Sequence, residues 1–195
     1  MNTLKIWTIQ PEVVWNILKS QGYFFCDPQK SDFLIEDCGF RDAYKWLIKE
    51  MEKRIGPRPK GIKTPIWGWY LRDWKNKKPD LRESGYGKRG TPLVCIALEL
   101  PVNQVVLTDF NAWHSVLNRW YIDDSQTEEE WKKIIENYEK LPYEKQNKLM
   151  KESWQTIFDI RPYKTDWRSN GAYVQATFWK LNMSQVKDAQ YFICK

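Results

Sequence analysis

The residues best suited to chemistry lie near the end of the chain, in the stretch YVQATFWKL from Tyr173 to Leu181. With the two-residue period of a strand, Val174, Ala176 and Phe178 face one way and Tyr173, Gln175, Thr177 and Trp179 the other. One face is plain core. The other sets a carboxamide and a hydroxyl between two large rings, a pair that donates and accepts hydrogen bonds without carrying charge. Twelve tryptophans and ten tyrosines exceed what a core of this size requires. Such residues are favoured where an apolar body is buried and a polar tip stays hydrogen-bonded, as in binding clefts.

Other reactive groups are sparse. His114 is the single histidine, and Cys26, Cys38, Cys95 and Cys194 show no CxxC spacing, so the residues predict no metal site. There is no GxSxG, phosphate-cradling glycine loop, HExxH or dinucleotide GxGxxG, which removes the common hydrolase, kinase and metalloprotease readings. A metal-dependent nuclease needs clustered carboxylates, and nothing in the spacing of Asp80, Glu83, Glu99 and Asp109 makes them converge. Asp109 precedes a helical pattern and is suited to capping it. Arg82, in the loop segment PDLRESG, has the planar fork that matches paired phosphate oxygens.

The net charge of +6 over 195 residues makes anionic partners plausible, nucleic acid first among them. Between Arg72 and Arg89 seven basic residues face only Asp73, Asp80 and Glu83, whereas acidic residues gather at Asp123, Asp124 and Glu128 to Glu130. With 42% hydrophobic and 29% charged residues the composition is that of a globular domain. No apolar run approaches the length of a membrane span, and a strand-like LKIWTIQ starts almost at the first residue, where a leader would stand. A reduced, cytoplasmic protein is the expectation.

The elements that must position these groups follow from periodicity. TLKIWTIQ reads as a strand; Pro11 opens a helix with the stripe Val13, Val14, Ile17 and Leu18, closed by Gly22. A second helix runs from about Phe40 to Ile55. TPIWGWYL is a strand whose glycine admits a ligand or another backbone at close range. KNKKPDLRESGYGKRG is loop, PLVCIALEL a central strand and QVVLTDF a short one. Trp113, Val116, Leu117 and Trp120 recur at helical spacing after Asp109. Thr127 starts another helix with Trp131, Ile134, Ile135 and Tyr138 as its stripe, and a further helix spans about Tyr143 to Phe158. VQATFWKL, a single turn opened by Ser184, and a strand QYFIC close the chain. Strands at both ends with helices between predict one α+β domain over residues 1–195, with a helical hairpin inserted at about 125–160.

The motifs IWTIQ, IWGWY, LTDFNAWHSVLN and VQATFWKL together resemble a family of uncharacterised bacterial proteins catalogued as a domain of unknown function, over most of the chain. More distantly, the first strand with PEVVWNILKSQGY is similar to the opening of ADP-ribosyltransferases. VQATFWKLNMSQVKDAQYF looks like their final element, and PLVCIALELPVNQVVLTDFNA resembles the middle of toxins that ADP-ribosylate nucleic acid.

That resemblance implies a split β-sheet core with flanking helices and NAD as substrate, without a metal. It implies that Trp7, Thr8 and Gln10 hold the nicotinamide amide and ribose, that Tyr70 with Trp67 or Trp69 packs on the ring, and that Arg82 reaches the pyrophosphate. Gln175 takes the place of the usual final-strand acid, with Thr177 two residues on. Because an amide supplies no negative charge, a carboxylate elsewhere has to serve, Asp109 or Asp80. The implied activity is transfer of ADP-ribose to RNA or single-stranded DNA by a bacterial toxin or phage-defence effector with a neutralising antitoxin. The alternatives are a non-catalytic nucleotide or nucleic-acid binding module and a plain interaction protein whose tryptophans face a partner.

Overall fold

A computed structural model describes residues 2–27, 29 and 39–195. The chain runs β1 (Thr3–Pro11), α1 (Glu12–Gln21), β2 (Tyr23–Phe24), α2 (Arg41–Ile55), β3 (Ile66–Arg72), β4 (Pro92–Pro101), β5 (Val106–Asp109), α3 (Phe110–Leu117), α4 (Glu128–Glu139) and α5 (Tyr143–Ser153). A 3₁₀ turn (Trp154–Phe158), β6 (Tyr163–Lys164), β7 (Ser169–Asn170), β8 (Tyr173–Phe178), β9 (Leu181–Asn182) and β10 (Val186–Ile193) complete it. Six strands form one antiparallel sheet in the order β10-β4-β1-β3-β8-β5; β2 pairs with β9 and β6 with β7. This is the single α+β domain that strands at both ends with helices between predict.

At β4 the sheet is buried on both faces, which is why PLVCIALEL reads as an unbroken apolar run instead of an alternating one. On one face Ile6, Val94, Ile96, Leu98, Leu100, Ile66, Ala176 and Phe178 pack beneath Trp15 and Leu18 of α1. On the other, α2, α3 and the 3₁₀ turn cover Val106 with Leu47, Met51, Trp113 and Ile157. Trp7, Cys95 and Ala97 pack under Leu81 of the long loop after β3.

Local signals in the sequence are realised. Pro11 sits at the start of α1 and Gly22 ends it in the left-handed region, φ 78°. Asp109 and Thr127 cap α3 and α4 by accepting from the Ala112 and Glu130 amides. Four expectations are corrected. In α1 Trp15 and Leu18 form the buried stripe, and Val13 is exposed. Helix α3 stops at Leu117 because Arg119 turns to φ 57°, and this leaves Trp120 exposed. No residue of α4 is buried, so its apolar stripe lies over the surface instead of sealing a core. The helix expected over Tyr143 to Phe158 changes to a 3₁₀ turn at Trp154. Among the described residues Cys26, Cys95 and Cys194 are free thiols; Cys38 lies outside them.

Gly68 answers what approaches the aromatic strand β3. A Cβ there would lie 2.6 Å from the Ile6 side chain and 3.1 Å from the Trp7 carbonyl oxygen, so the close neighbour is β1 itself.

Candidate functional site

Antiparallel register puts groups from distant parts of the chain in one row. Ala97 pairs with Trp7, Trp7 with Trp69, Trp69 with Gln175 and Gln175 with Thr108. Residues directly opposite in neighbouring strands point to the same face, so Trp7, Trp69, Gln175 and Thr108 share one. At roughly 4.8 Å per strand, Trp7 and Gln175 stand about 10 Å apart with Trp69 between them.

The members of this row differ in exposure. Trp7 is 5% exposed, covered by the loop residue Leu81, with the Lys5 ammonium 5.3 Å from its ring centre. Trp69 and Gln175 are half-buried, and the Gln175 amide makes no side-chain hydrogen bond to any described residue. Thr108 is fully buried and its hydroxyl has no partner among the described residues. Buried polar groups are normally satisfied, so the Thr108 hydroxyl is an exception beside the Gln175 amide.

A β-bulge adds a cation to this face. Between β3 and β8 the register shifts after Trp69, so that Leu71 pairs with Val174 and Arg72 with Tyr173. Without the extra residue Arg72 would point away from Trp69; with it, Arg72 shares the face of Tyr173 and Gln175. Its guanidinium carbon lies 5.2 Å from the Trp69 ring centre. Arg72 donates to the Tyr86 hydroxyl at 2.6 Å and to a Glu83 carboxylate oxygen. Burial pulls the Arg72 pKa down, but the hydrogen bonds to Glu83 and Tyr86 outweigh it and raise the value, so the side chain stays firmly charged. Burial likewise pushes the Tyr86 phenol up. Sequence reasoning passed over Arg72 because a bulge has no local signature; the only hint was an arginine closing the run WGWYLR.

Phe110, at the start of α3, lies 5.1 Å from Trp69, and His114 stands edge-on to Phe110 at 4.3 Å. His114 is exposed and its Nδ1 donates to the Phe110 carbonyl at 2.8 Å, which leaves Nε2 facing outward.

Strand alternation or burial separates the other residues proposed to act together: Thr8, Gln10 and Tyr70 by facing, Trp67 and Thr177 by burial on the same face. Thr8 and Gln10 lie on the opposite face from Trp7; Thr8 is fully buried, its hydroxyl donating to the Trp67 carbonyl and accepting from the Gln10 amide, each at 2.7 Å. Trp67 packs against Trp113 and Tyr44 in the core under α3, its indole N–H without a partner. Tyr70, the bulged residue, packs with the core under α1. Thr177 is fully buried, and its hydroxyl donates to the Val106 carbonyl at 3.3 Å. Arg82 is 81% exposed and paired with Asp80 in its own loop; that contact holds the Asp80 carboxyl well below its usual range.

Asp109 is 2% exposed, and both its oxygens accept main-chain amides: Ala112 at 3.0 Å and Gly171 at 2.8 Å. The second bond ties the end of β5 to the start of β8. Asp109 also lies in the wall of a separate cavity of about 880 Å³ beyond the edge strand β5. Of the sequence candidates, then, Trp7, Trp69 and Gln175 are brought to one face, and Thr108, Arg72, Phe110 and His114 join them.

Among the described residues no group of His, Cys, Asp and Glu is arranged to hold a metal ion. No helix among them is long and apolar enough to cross a membrane. No curated protein and no solved structure matches the chain. A family model does match, over residues 5–187, and by it the chain belongs to the family described as Domain of unknown function (DUF3841).

Proposed function

We propose that this chain is an ADP-ribosyltransferase-like protein that binds NAD on the Trp69–Gln175 face and transfers ADP-ribose to a nucleic acid. The observation that carries this reading is the row itself: a half-buried indole, an unpartnered carboxamide and an orphan hydroxyl on three adjacent strands, with a charged arginine beside the indole. A flat cationic nicotinamide stacks on the Trp69 ring. The Gln175 amide hydrogen-bonds the adjoining ribose, and Arg72 draws the pyrophosphate. In the reaction the bond between ribose and nicotinamide breaks, with its electron pair leaving on nicotinamide, through a transition state of oxocarbenium character. A nucleophilic atom of the acceptor base forms the new bond to ribose and gives up its proton. The basic loop, where Lys75, Lys88 and Arg89 have no ion-pair partner among the described residues, favours nucleic acid as acceptor. A toxin or phage-defence effector acting in the cytoplasm, held in check by an antitoxin, is the setting that suits such an activity.

One observation favours a second reading. Among the described residues no unpaired carboxylate is shown facing the row: Glu83 is bound by Arg72, Asp80 by Arg82, and Asp109 by two amides. Nothing then offsets the positive charge that develops at the transition state, and a module that stacks nucleotides without chemistry fits the same face. Labelled NAD incubated with RNA or single-stranded DNA separates the two. Label on the acceptor, increased by Gln175→Glu, supports transfer; NAD binding without turnover in either form supports the module. Absence of NAD binding, with Trp69→Ala indistinguishable from the parent chain in every assay, overturns the NAD reading.

A further inference from the structure

Of the groups described above only Asp109, whose oxygens are both taken by main-chain amides, borders the cavity beyond β5, and the chemistry of its wall differs from that of the Trp69–Gln175 face. It lies between the residue 119–126 loop and the residue 159–170 loop, with one side of α3 as its floor. The two loops are fastened together. Arg168 donates to the Asp123 and Ser125 carbonyls at 2.7 and 3.3 Å, the Trp167 indole N–H to the Ser125 hydroxyl at 3.3 Å, and the Tyr163 hydroxyl to the Gln126 side chain. The opening is therefore held by cross-links, and it presents Trp167 and Tyr163, 41% and 45% exposed.

The wall combines acceptors and donors that have no other work. The Asp124 carboxylate makes no hydrogen bond or ion pair with any described residue, and the same holds for the side chains of Asn111 and Ser115 on α3. The Arg168 guanidinium spends its bonds on carbonyls, so no carboxylate neutralises it. A wall with both a free carboxylate and an unneutralised guanidinium disfavours a simple cation as well as a simple anion. It suits a neutral planar heterocycle that carries an amino donor next to a carbonyl acceptor, sandwiched by exposed rings. Among nucleobases that edge belongs to cytosine and guanine; thymine and uracil lack the amino group and adenine the carbonyl.

We infer that this cavity is a base-selective pocket for single-stranded nucleic acid, in which Trp167 and Tyr163 stack a cytosine or guanine and Asp124 accepts from its amino group. The inference rests on nucleic acid being the partner, as proposed above. Phe110 and His114 of α3 face Trp69, whereas Asn111 and Ser115 of the same helix face the cavity. The pocketed base is thus a neighbour of the residue that reaches the Trp69–Gln175 face, and it sets sequence context.

Fluorescence anisotropy with short labelled oligo-dC, oligo-dA and oligo-dT at one salt concentration tests this. Oligo-dC is expected to bind about tenfold more tightly than oligo-dT, with oligo-dA between. Asp124→Ala, a change at an exposed side chain that removes the acceptor, removes most of that difference; Trp167→Ala weakens every oligonucleotide by about tenfold. Equal affinity for oligo-dC and oligo-dT, or a preference unchanged in Asp124→Ala, overturns the inference. So does displacement by putrescine alone from a chain that shows no base preference, which would mark a cation pocket. The measurement contains no NAD, so its failure leaves the NAD reading standing, and a missing NAD turnover beside an intact base preference sinks only the latter reading.

Discussion

Trp69 and Gln175 are direct partners across β3 and β8, and the bulge that follows Trp69 brings Arg72 onto their face. An indole, an amide and a guanidinium are thereby presented together, with the amide and the indole half-buried. Because Trp69 stacks a ring in the proposed complex, Trp69→Ala is expected to weaken NAD binding by about 1–3 kcal/mol while the sheet, already buried at β4, stays folded. Isothermal titration with NAD, alongside a thermal melt, checks this. A loss of affinity confined to unfolded protein would assign Trp69 to packing alone.

Arg72 gives a companion prediction. Its bonds to Glu83 and Tyr86 hold the loop after β3 over Trp7 as well as aiming the guanidinium at Trp69. Arg72→Lys keeps the charge but loses the fork, so one of the two contacts is dropped. We expect NAD affinity to fall several-fold and the Tyr86 environment to change, read by its near-ultraviolet signal. Arg72→Lys with parental affinity would remove the cation from the site.

The bond from the Gly171 amide to Asp109 spans 62 positions and is fully buried. Asp109→Ala removes a helix cap, which costs about 0.5–2 kcal/mol. It also strands a buried amide, at about 1–3 kcal/mol. Urea unfolding is expected to show a combined loss of about 2–4 kcal/mol. Asp109→Asn, which keeps an acceptor oxygen, should lose less. If the two variants were equally stable, the cap and the cross-link would not be the source of the effect.

Gly171 faces a harder limit. Its φ is +66°, and a Cβ would come within 2.4 Å of the Ile160 carbonyl oxygen, a backbone atom that cannot swing aside. Gly171→Ala therefore combines left-handed strain of about 1–3 kcal/mol with a steric clash. A marked drop in melting temperature is expected, together with faster proteolysis at residues 159–170. At Gly68 the nearest atom is the Cγ2 methyl of the buried, β-branched Ile6, with the Trp7 carbonyl oxygen at 3.1 Å, so Gly68→Ala also meets a clash but without the left-handed strain.

These relationships show where sequence is legible. Caps at Asp109 and Thr127 and the stop at Gly22 depend on residues within one turn, so residue type alone reveals them. The alternation of YVQATFWKL correctly sends Gln175 and Thr177 to one face, but only the neighbouring strands decide that Thr177 is sealed and Gln175 open. The same alternation in β1 puts Thr8 and Gln10 on the face opposite Trp7. Arg72 was hidden because a single inserted residue reverses the facing of everything after it. The second cavity was hidden because it is closed by hydrogen bonds between loops whose sequences carry no period.

Cys95 supplies a pH test of the core. It is 2% exposed beside Trp7, and burial pushes its thiol pKa up to about 11, the nearby Lys78 opposing and Asp188 assisting. Because the folded-state pKa lies above the unfolded value, the neutral thiol's contribution is complete below about pH 9 and is lost as pH rises through about 11. Unfolding free energy should thus decline across that interval. Cys95→Ala, which leaves a small void and is less stable near neutral pH, cannot ionise at that position. Its deficit relative to the parent chain is expected to shrink as the pH approaches 11, measured by urea melts at matched ionic strength. Parallel curves for the two proteins would mean that the thiol ionises as readily in the folded chain as in the unfolded one, contrary to its burial under Leu81 and Phe192.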